Sequence, residues 1–172
     1  MRRRLNTCRR RVRRKKSGNV LLLALGSFLA ILYYQHVSQI AAVRRECPAL
    51  RYGRFYFRPV SGDGTNFGVS TFLNGIVAFS RILMDQEIVI VANTDTVNAS
   101  KVFVIVDITL NQPGESFRVL YSNKQQPVAP SLVLQKAAGA VVVQETDGST
   151  GTGPLNCTQV TLGPLEVQIL GR

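Results

Sequence analysis

At 172 residues the chain is long enough for one domain with its own core plus extensions, and its formal charge of +11 combines 21 basic with 10 acidic residues. One histidine, His36, excludes a histidine-based catalytic triad and a multi-histidine metal site, and three cysteines (Cys8, Cys47, Cys157) without CxxC spacing read as plain thiols, not as a disulfide framework or zinc site. Tryptophan, a common platform for sugar rings, is absent, and no metal or other cofactor is expected.

In chain order, residues 1–16 come first, with ten cations and no acid; 21 minus 10 leaves 11 cations against 10 acids, about +1, for everything after Lys16. Residues 20–34 then form a fifteen-residue run without a charge. A bilayer crossing takes about 20 apolar residues, so the run is short for a span but has the length of a signal-peptide apolar region. The cationic leader suits a cytoplasmic flank. Two readings of residues 1–34 stay open. One is a signal-anchor; the other is an Arg- and Leu-rich string from out-of-frame translation or a misassigned start. Localisation stays open with them, membrane-anchored in the first case and cytoplasmic in the second.

Val37, Ile40, Ala41 and Val43 recur at helical spacing, giving a short amphipathic helix that stops before Pro48. Pro48 and Gly53 then mark a seam, Gly53 by permitting a turn that other residues resist. Tyr52, Phe55, Tyr56 and Phe57 cluster beside Arg51, Arg54 and Arg58. Beyond them β-type residues dominate, and strands are predicted over 67–72, 76–83, 87–92, 102–109, 117–121, 140–145, 159–162 and 166–170. Asn74-Gly75, Asp85-Gln86, Pro113-Gly114, Asp147-Gly148 and Gly163-Pro164 punctuate them, Asn74-Gly75 being the strongest hairpin signal. The pattern predicts an all-β fold, an antiparallel β-sandwich of about eight strands with Greek-key links. One short α-helix and a basic, apolar N-terminal extension precede it. Strands 87–92 and 102–106 are apolar on both faces, so each needs cover on two sides, from the facing sheet and from the helix, a loop or another domain. Residues 146–158, rich in Gly, Ser and Thr, read as a flexible surface loop. Among the acids, Asp85 and Glu87 frame a predicted turn and read as solvated, while Asp107 reads as structural at a strand end.

The run Val43-Arg44-Arg45-Glu46-Cys47-Pro48-Ala49-Leu50-Arg51-Tyr52-Gly53-Arg54 resembles the junction where the last barrel helix of an α-amylase-family enzyme (glycoside hydrolase family 13) meets its C-terminal β-domain. Val91-Ala92-Asn93-Thr94, Val104-Ile105-Val106-Asp107 and the closing Leu165-Glu166-Val167-Gln168-Ile169 after Pro164 are similar to strands of that domain, in the same order. The resemblance covers about residues 33–172. It implies three segments: 1–34 as leader, 35–50 as a helix like the last barrel helix, and 51–172 as the β-sandwich domain.

The family's chemistry needs an Asp nucleophile, a Glu acid/base and a third Asp, because paired carboxylates must flank the scissile bond. Their motifs, a histidine after D-x-x-x-N, an R-x-D-A run and an N-H-D run, are absent, and the (β/α)₈ barrel that carries them takes about 250 residues. The resemblance therefore implies an accessory domain with no catalytic residues of its own, part of an enzyme of α-glucan metabolism. The expected partner is a catalytic barrel missing from this polypeptide or separately encoded. Tyr52, Phe55, Tyr56 and Phe57 are assigned to the barrel-facing interface, ahead of internal core and of a ligand site. The alternative is a membrane-anchored carbohydrate-binding module, with weak α-glucan binding and a membrane contact only if residues 20–34 are a true anchor. Nucleic acid is not an expected partner, since no reader fold accompanies the basic arm.

Overall fold

A computed structural model describes residues 17–69, 75–124, 129–145 and 147–172, with side chains from residue 30 onward. The basic leader, the 70–72 end of the predicted 67–72 strand and Asn74 of the predicted hairpin lie outside the described residues. The chain divides into two units, residues 1–37 and 38–172.

Helix α1 (Ser17–Glu46) is far longer than the short helix predicted from the apolar periodicity. Leu- and Ala-rich sequence with no charge until Arg44 propagates a helix without interruption, and Arg44 and Arg45 complement the dipole in the last turn. Among the described residues no helix is long and apolar enough to cross a membrane. Pro48 closes α1 and also opens a second helix, α2 (Pro48–Tyr52), because proline at the first helical position gives up an N–H that has no partner there.

Among the described residues twelve strands follow: β1 (Arg54–Phe57), β2 (Val60–Ser61), β3 (Asn66–Phe67), β4 (Ile76–Leu83), β5 (Gln86–Asn93), β6 (Ser100–Val106), β7 (Ser116–Ser122), β8 (Ser131–Lys136), β9 (Val142–Gln144), β10 (Thr150–Gly151), β11 (Leu155–Leu162) and β12 (Val167–Gly171). Nine form one sheet in the order β1-β4-β5-β12-β7-β8-β11-β6-β2. Late strands insert between early ones, as Greek-key links require. Strands β7 and β8 pair only through Ser116↔Leu132 and Phe117↔Ser131. The sheet folds over at this narrow join, and its two halves face each other as a sandwich.

Between the halves lies the main core: Ile76, Val89, Val91, Phe117 and Leu170 from one side, and Val102, Val104, Val106, Val133 and Val160 from the other. The outer face of the β5 half carries Ile88, Ile90, Tyr121 and Ile169, covered by Ala49, Leu50 and Val43 of the two helices. The outer face of the β6 half carries Phe103, Ile105 and Cys157. Phe67, Val141 and Val143 cover it, from and beside a small sheet ordered β10-β9-β3. Each of the two doubly apolar strands thus finds its second cover within this chain.

Three sequence expectations are corrected. Strand β8 was not predicted, although Ser131 and Val133 alternate inward between exposed Leu132 and Leu134. The supposed loop 146–158 holds β10 and the start of β11, where Leu155, Asn156, Cys157 and Thr158 are all buried. Its polar residues tolerate this because Asn156 Nδ2 donates to Asn111 O at 2.7 Å and Thr158 Oγ1 donates to Leu132 O at 3.2 Å. Strand β6 ends at Val106 instead of 109, because Asp107 Oδ1 accepts the Thr109 and Leu110 N–H groups at 2.9 and 3.2 Å and turns the chain.

Candidate functional site

The seam is assembled from α2 and β1. Ala49, fully buried, plants α2 on the outer face of β4 and β5, and its N–H donates to Gln86 Oε1 at 3.3 Å. Gly53 closes the helix with its N–H on Ala49 O at 2.9 Å. Its φ of −64° and ψ of 153° suit any residue, so the expected role in a special turn is corrected. Glycine is needed for proximity: a Cβ there would lie 2.5 Å from Ala49 O and 2.8 Å from Ile82 O.

Strand β1 pairs with β4 in the register Phe55↔Arg81 and Phe57↔Phe79. Alternation places Phe55 and Phe57 on the α2 side, where Phe55 stacks on Phe79 (5.0 Å between centroids) and meets Phe57 edge-on at 4.8 Å. Tyr56 points to the opposite side, its ring under the Arg58 guanidinium at 5.6 Å. Tyr52 carries Arg51 at 5.1 Å. Tyr52 and Phe57 remain 71% and 61% exposed, Phe55 and Tyr56 45% and 40%. The four aromatics assigned from sequence therefore divide between two faces. Of the predicted helical stripe, Val43 packs on the core, while Val37, Ile40 and Ala41 stay exposed. Among the described residues, exposed Arg44, Arg45, Arg51 and Arg54 make no ion pair.

Arg58 turns away from this surface into one end of the sandwich. Its Nη2 donates to Glu87 Oε1 and its Nε to Ser80 Oγ at 2.7 Å. Glu87 Oε2 accepts the Asp107 N–H at 2.9 Å and Asn111 Nδ2. Glu87 is thus buried and paired, which corrects the reading of it as a solvated turn residue; the turn is Met84-Asp85, and both of its residues are exposed. Both Glu87 oxygens are occupied, so it offers no base to a substrate. Asp107 is structural, as expected: burial pushes its carboxyl up, but hydrogen bonds from the Thr109 side chain and from the Thr109 and Leu110 N–H groups outweigh that and hold it below the usual range.

A matching network closes the other end. Glu166 accepts from Ser122 Oγ and Gln168 Nε2, each at 2.8 Å, and from the Gly163 N–H at 2.7 Å. Burial raises its carboxyl and these bonds lower it, with the net shift downward. Sequence reasoning missed both networks. The one available signal was Glu87, which shares the inward period of Val89 and Val91.

A groove of about 620 Å³ opens beside the small sheet, lined by Gly62, Asp63, Phe67, Val142 and Gln144 among others. Asp63 in its wall accepts from Ser61 Oγ, the Thr65 and Asn66 N–H groups and Asn66 Nδ2, all at 2.7–2.9 Å. Those bonds hold it far below the usual carboxylate range and tie its Oδ1 to the surrounding turn. Among the described residues no group of three or more His, Cys, Asp or Glu side chains could hold a metal ion.

No family model matches the chain, and no curated protein matches it. Solved structures do. The chain is similar to the trehalulose synthase MutB, with 16% identity and a TM-score of 0.44 over 78% of this chain and 17% of that one. It is similar to the isomaltulose synthase of Klebsiella sp. LX3 (16% identity, TM-score 0.43, 77% and 16%) and to a debranching enzyme of Nostoc punctiforme (20%, 0.43, 78% and 20%). It spans at most a fifth of each.

Proposed function

We propose that this chain is a non-catalytic accessory β-domain of the α-amylase family, glycoside hydrolase family 13. In this reading Tyr52, Phe55 and Phe57, with Ile40 of α1, receive a catalytic (β/α)₈ barrel. The observation that carries it is an exposed aromatic surface that the domain's own core does not use. Both faces of β5 and β6 already have internal cover, so these side chains fill no gap inside. Aromatic side chains bury about 150–250 Å² each, and three left half-open expose on the order of 300 Å², the scale of an interaction patch. The seam motif supplies the identity of the partner, because in the family it resembles the chain leaves the barrel at this point.

The carboxylate motifs of glycoside hydrolysis are absent from the sequence, so the domain shields barrel surface and adds stability but cleaves nothing. Incubating the purified protein with starch tests this, and no reducing ends should form. Reducing ends that scale with protein concentration would sink the reading. Retention on an amylose matrix would favour a carbohydrate-binding module instead. The interface is tested by Phe55→Ser/Phe57→Ser, which should lower binding of a hydrophobic dye at least twofold and abolish capture by a family barrel stripped of its own β-domain.

A further inference from the structure

Strand β1 is the outermost strand of the large sheet, and among the described residues nothing pairs with its far edge. What that edge presents follows from one hydrogen bond: the Arg58 N–H donates to Ala78 O at 3.0 Å, continuing the β1–β4 ladder. In an antiparallel ladder, alternate residues turn both main-chain groups to the same neighbour. Arg54 and Tyr56 therefore face β4, as Arg58 does. Phe55 and Phe57 direct their N–H and C=O groups outward, two donors and two acceptors on an open edge.

We propose that this edge pairs with the same edge of a second copy of the chain, antiparallel, about a two-fold axis at Tyr56. Such an axis, normal to the sheet, keeps each side chain on its own face, so opposed residues must share a face and the axis must pass through a residue. With the axis on a residue of β1 four registers are open, and chemistry selects one. An axis at Arg54 sets Phe55 against Gly53 of the partner subunit, whose N–H is given to Ala49 O. An axis at Phe55 sets Phe57 against Gly53 of the partner subunit, and the Gly53 N–H is already given to Ala49 O. An axis at Phe57 sets Phe55 against Pro59 of the partner subunit, and proline has no N–H. With the axis at Tyr56, Phe55 exchanges both bonds with Phe57 of the partner subunit, and the converse, so all four outward groups are met.

Side chains agree with this register. Phe55 and Phe57 of each copy join on the α2 side as aromatic cross-strand pairs, which favour sheet pairing. Tyr56 meets Tyr56 of the partner subunit on the other face. The one like-charge pair, Arg54 with Arg58 of the partner subunit, is softened because Arg58 is turned inward onto Glu87 with its side chain only 13% exposed. A ladder this short gives a reversible dimer populated at high concentration, and it uses the main-chain edge, which the barrel reading above does not require.

Tyr56→Cys in a Cys8→Ser/Cys47→Ser background tests the register. Position 56 faces its own copy across a non-hydrogen-bonded pair with Cα atoms about 4.5 Å apart, within disulfide reach. Mild oxidation of the full chain should give covalent dimer at least tenfold faster than the same change at exposed Val97. Adding Phe57→Pro, which deletes an outward N–H and leaves the β4 ladder intact, should remove that advantage; Phe57→Lys gives the same readout if proline lowers the melting temperature. Without oxidant, sedimentation should show mass rising from 18.9 kDa toward twice that value with concentration, and the Phe57 variants staying monomeric. Cross-linking no faster at 56 than at 97, a monomer at all concentrations, or a dimer that survives both Phe57 changes each overturns the proposal. The last would assign association to the aromatic or helical surface and leave the barrel reading standing.

Discussion

Replacing Arg58 with methionine tests the polar end of the sandwich. Methionine keeps the length and apolar stem of the side chain, so the change falls on the guanidinium. Glu87, with a side chain 0% exposed, loses the cation that pairs with it and keeps two hydrogen bonds, from the Asp107 N–H and Asn111 Nδ2. Removing one partner of a buried ion pair costs about 3–5 kcal/mol, because the remaining charge is uncompensated. Loss of the Nε bond to Ser80 Oγ and of the contact over Tyr56 adds at most about 1 kcal/mol each. Domains of this size are stable by about 5–15 kcal/mol, so the variant should be measurably folded but much weaker. Urea denaturation followed by circular dichroism should show the midpoint falling by at least about a fifth at unchanged slope. Adding Glu87→Gln removes the charge and keeps an acceptor for Asp107 and Asn111, so the double variant should regain about 2 kcal/mol. An Arg58→Met cost below about 1 kcal/mol, or a double variant no better than the single, would refute the role of the buried pair.

Gly53→Ala places a methyl against two backbone oxygens at 2.5 and 2.8 Å, so it should cost about 1–3 kcal/mol by overpacking and show in the same urea assay. Met84 is an exposed, left-handed residue at φ 54°; Met84→Asn should stabilise the protein by up to about 1 kcal/mol, since asparagine tolerates that conformation, and a lowered melting temperature would count against this. Asp107 and Glu166 both have folded pKa values below their ordinary ones. The unfolded chain therefore takes up protons first, and their stabilisation is complete above about pH 4.5 and lost as pH falls through the folded values. Melting temperature should hold from pH 7 to 5 and then decline, with a shallower decline in Asp107→Asn; a flat profile down to pH 3 would exclude these two networks as the acid-sensitive elements.

Much of the β-domain was legible because period-two alternation is a local property. Strand β4 occupies Ile76–Leu83, as its pattern required, and β5 and β7 differ from expectation by one residue at each end. The two-sided apolarity of β5 and β6 correctly demanded double cover. Local pattern failed where polar residues sit inside. The Asn-Cys-Thr stretch at the start of β11 looks like loop, and only its distant partners Asn111 and Leu132 make burial affordable.

The sequence alone determined the fold class, most strand positions and the break in the helix at Pro48 ahead of the sheet, since each follows from side chains and dihedral limits within a few residues. Only the tertiary structure decided which layer covers which strand, that Tyr56 turns away from Phe55 and Phe57, and that Arg58 finds Glu87 from 29 residues away. Those outcomes depend on which buried donor meets which buried acceptor, and such pairs form between segments whose proximity no local periodicity records.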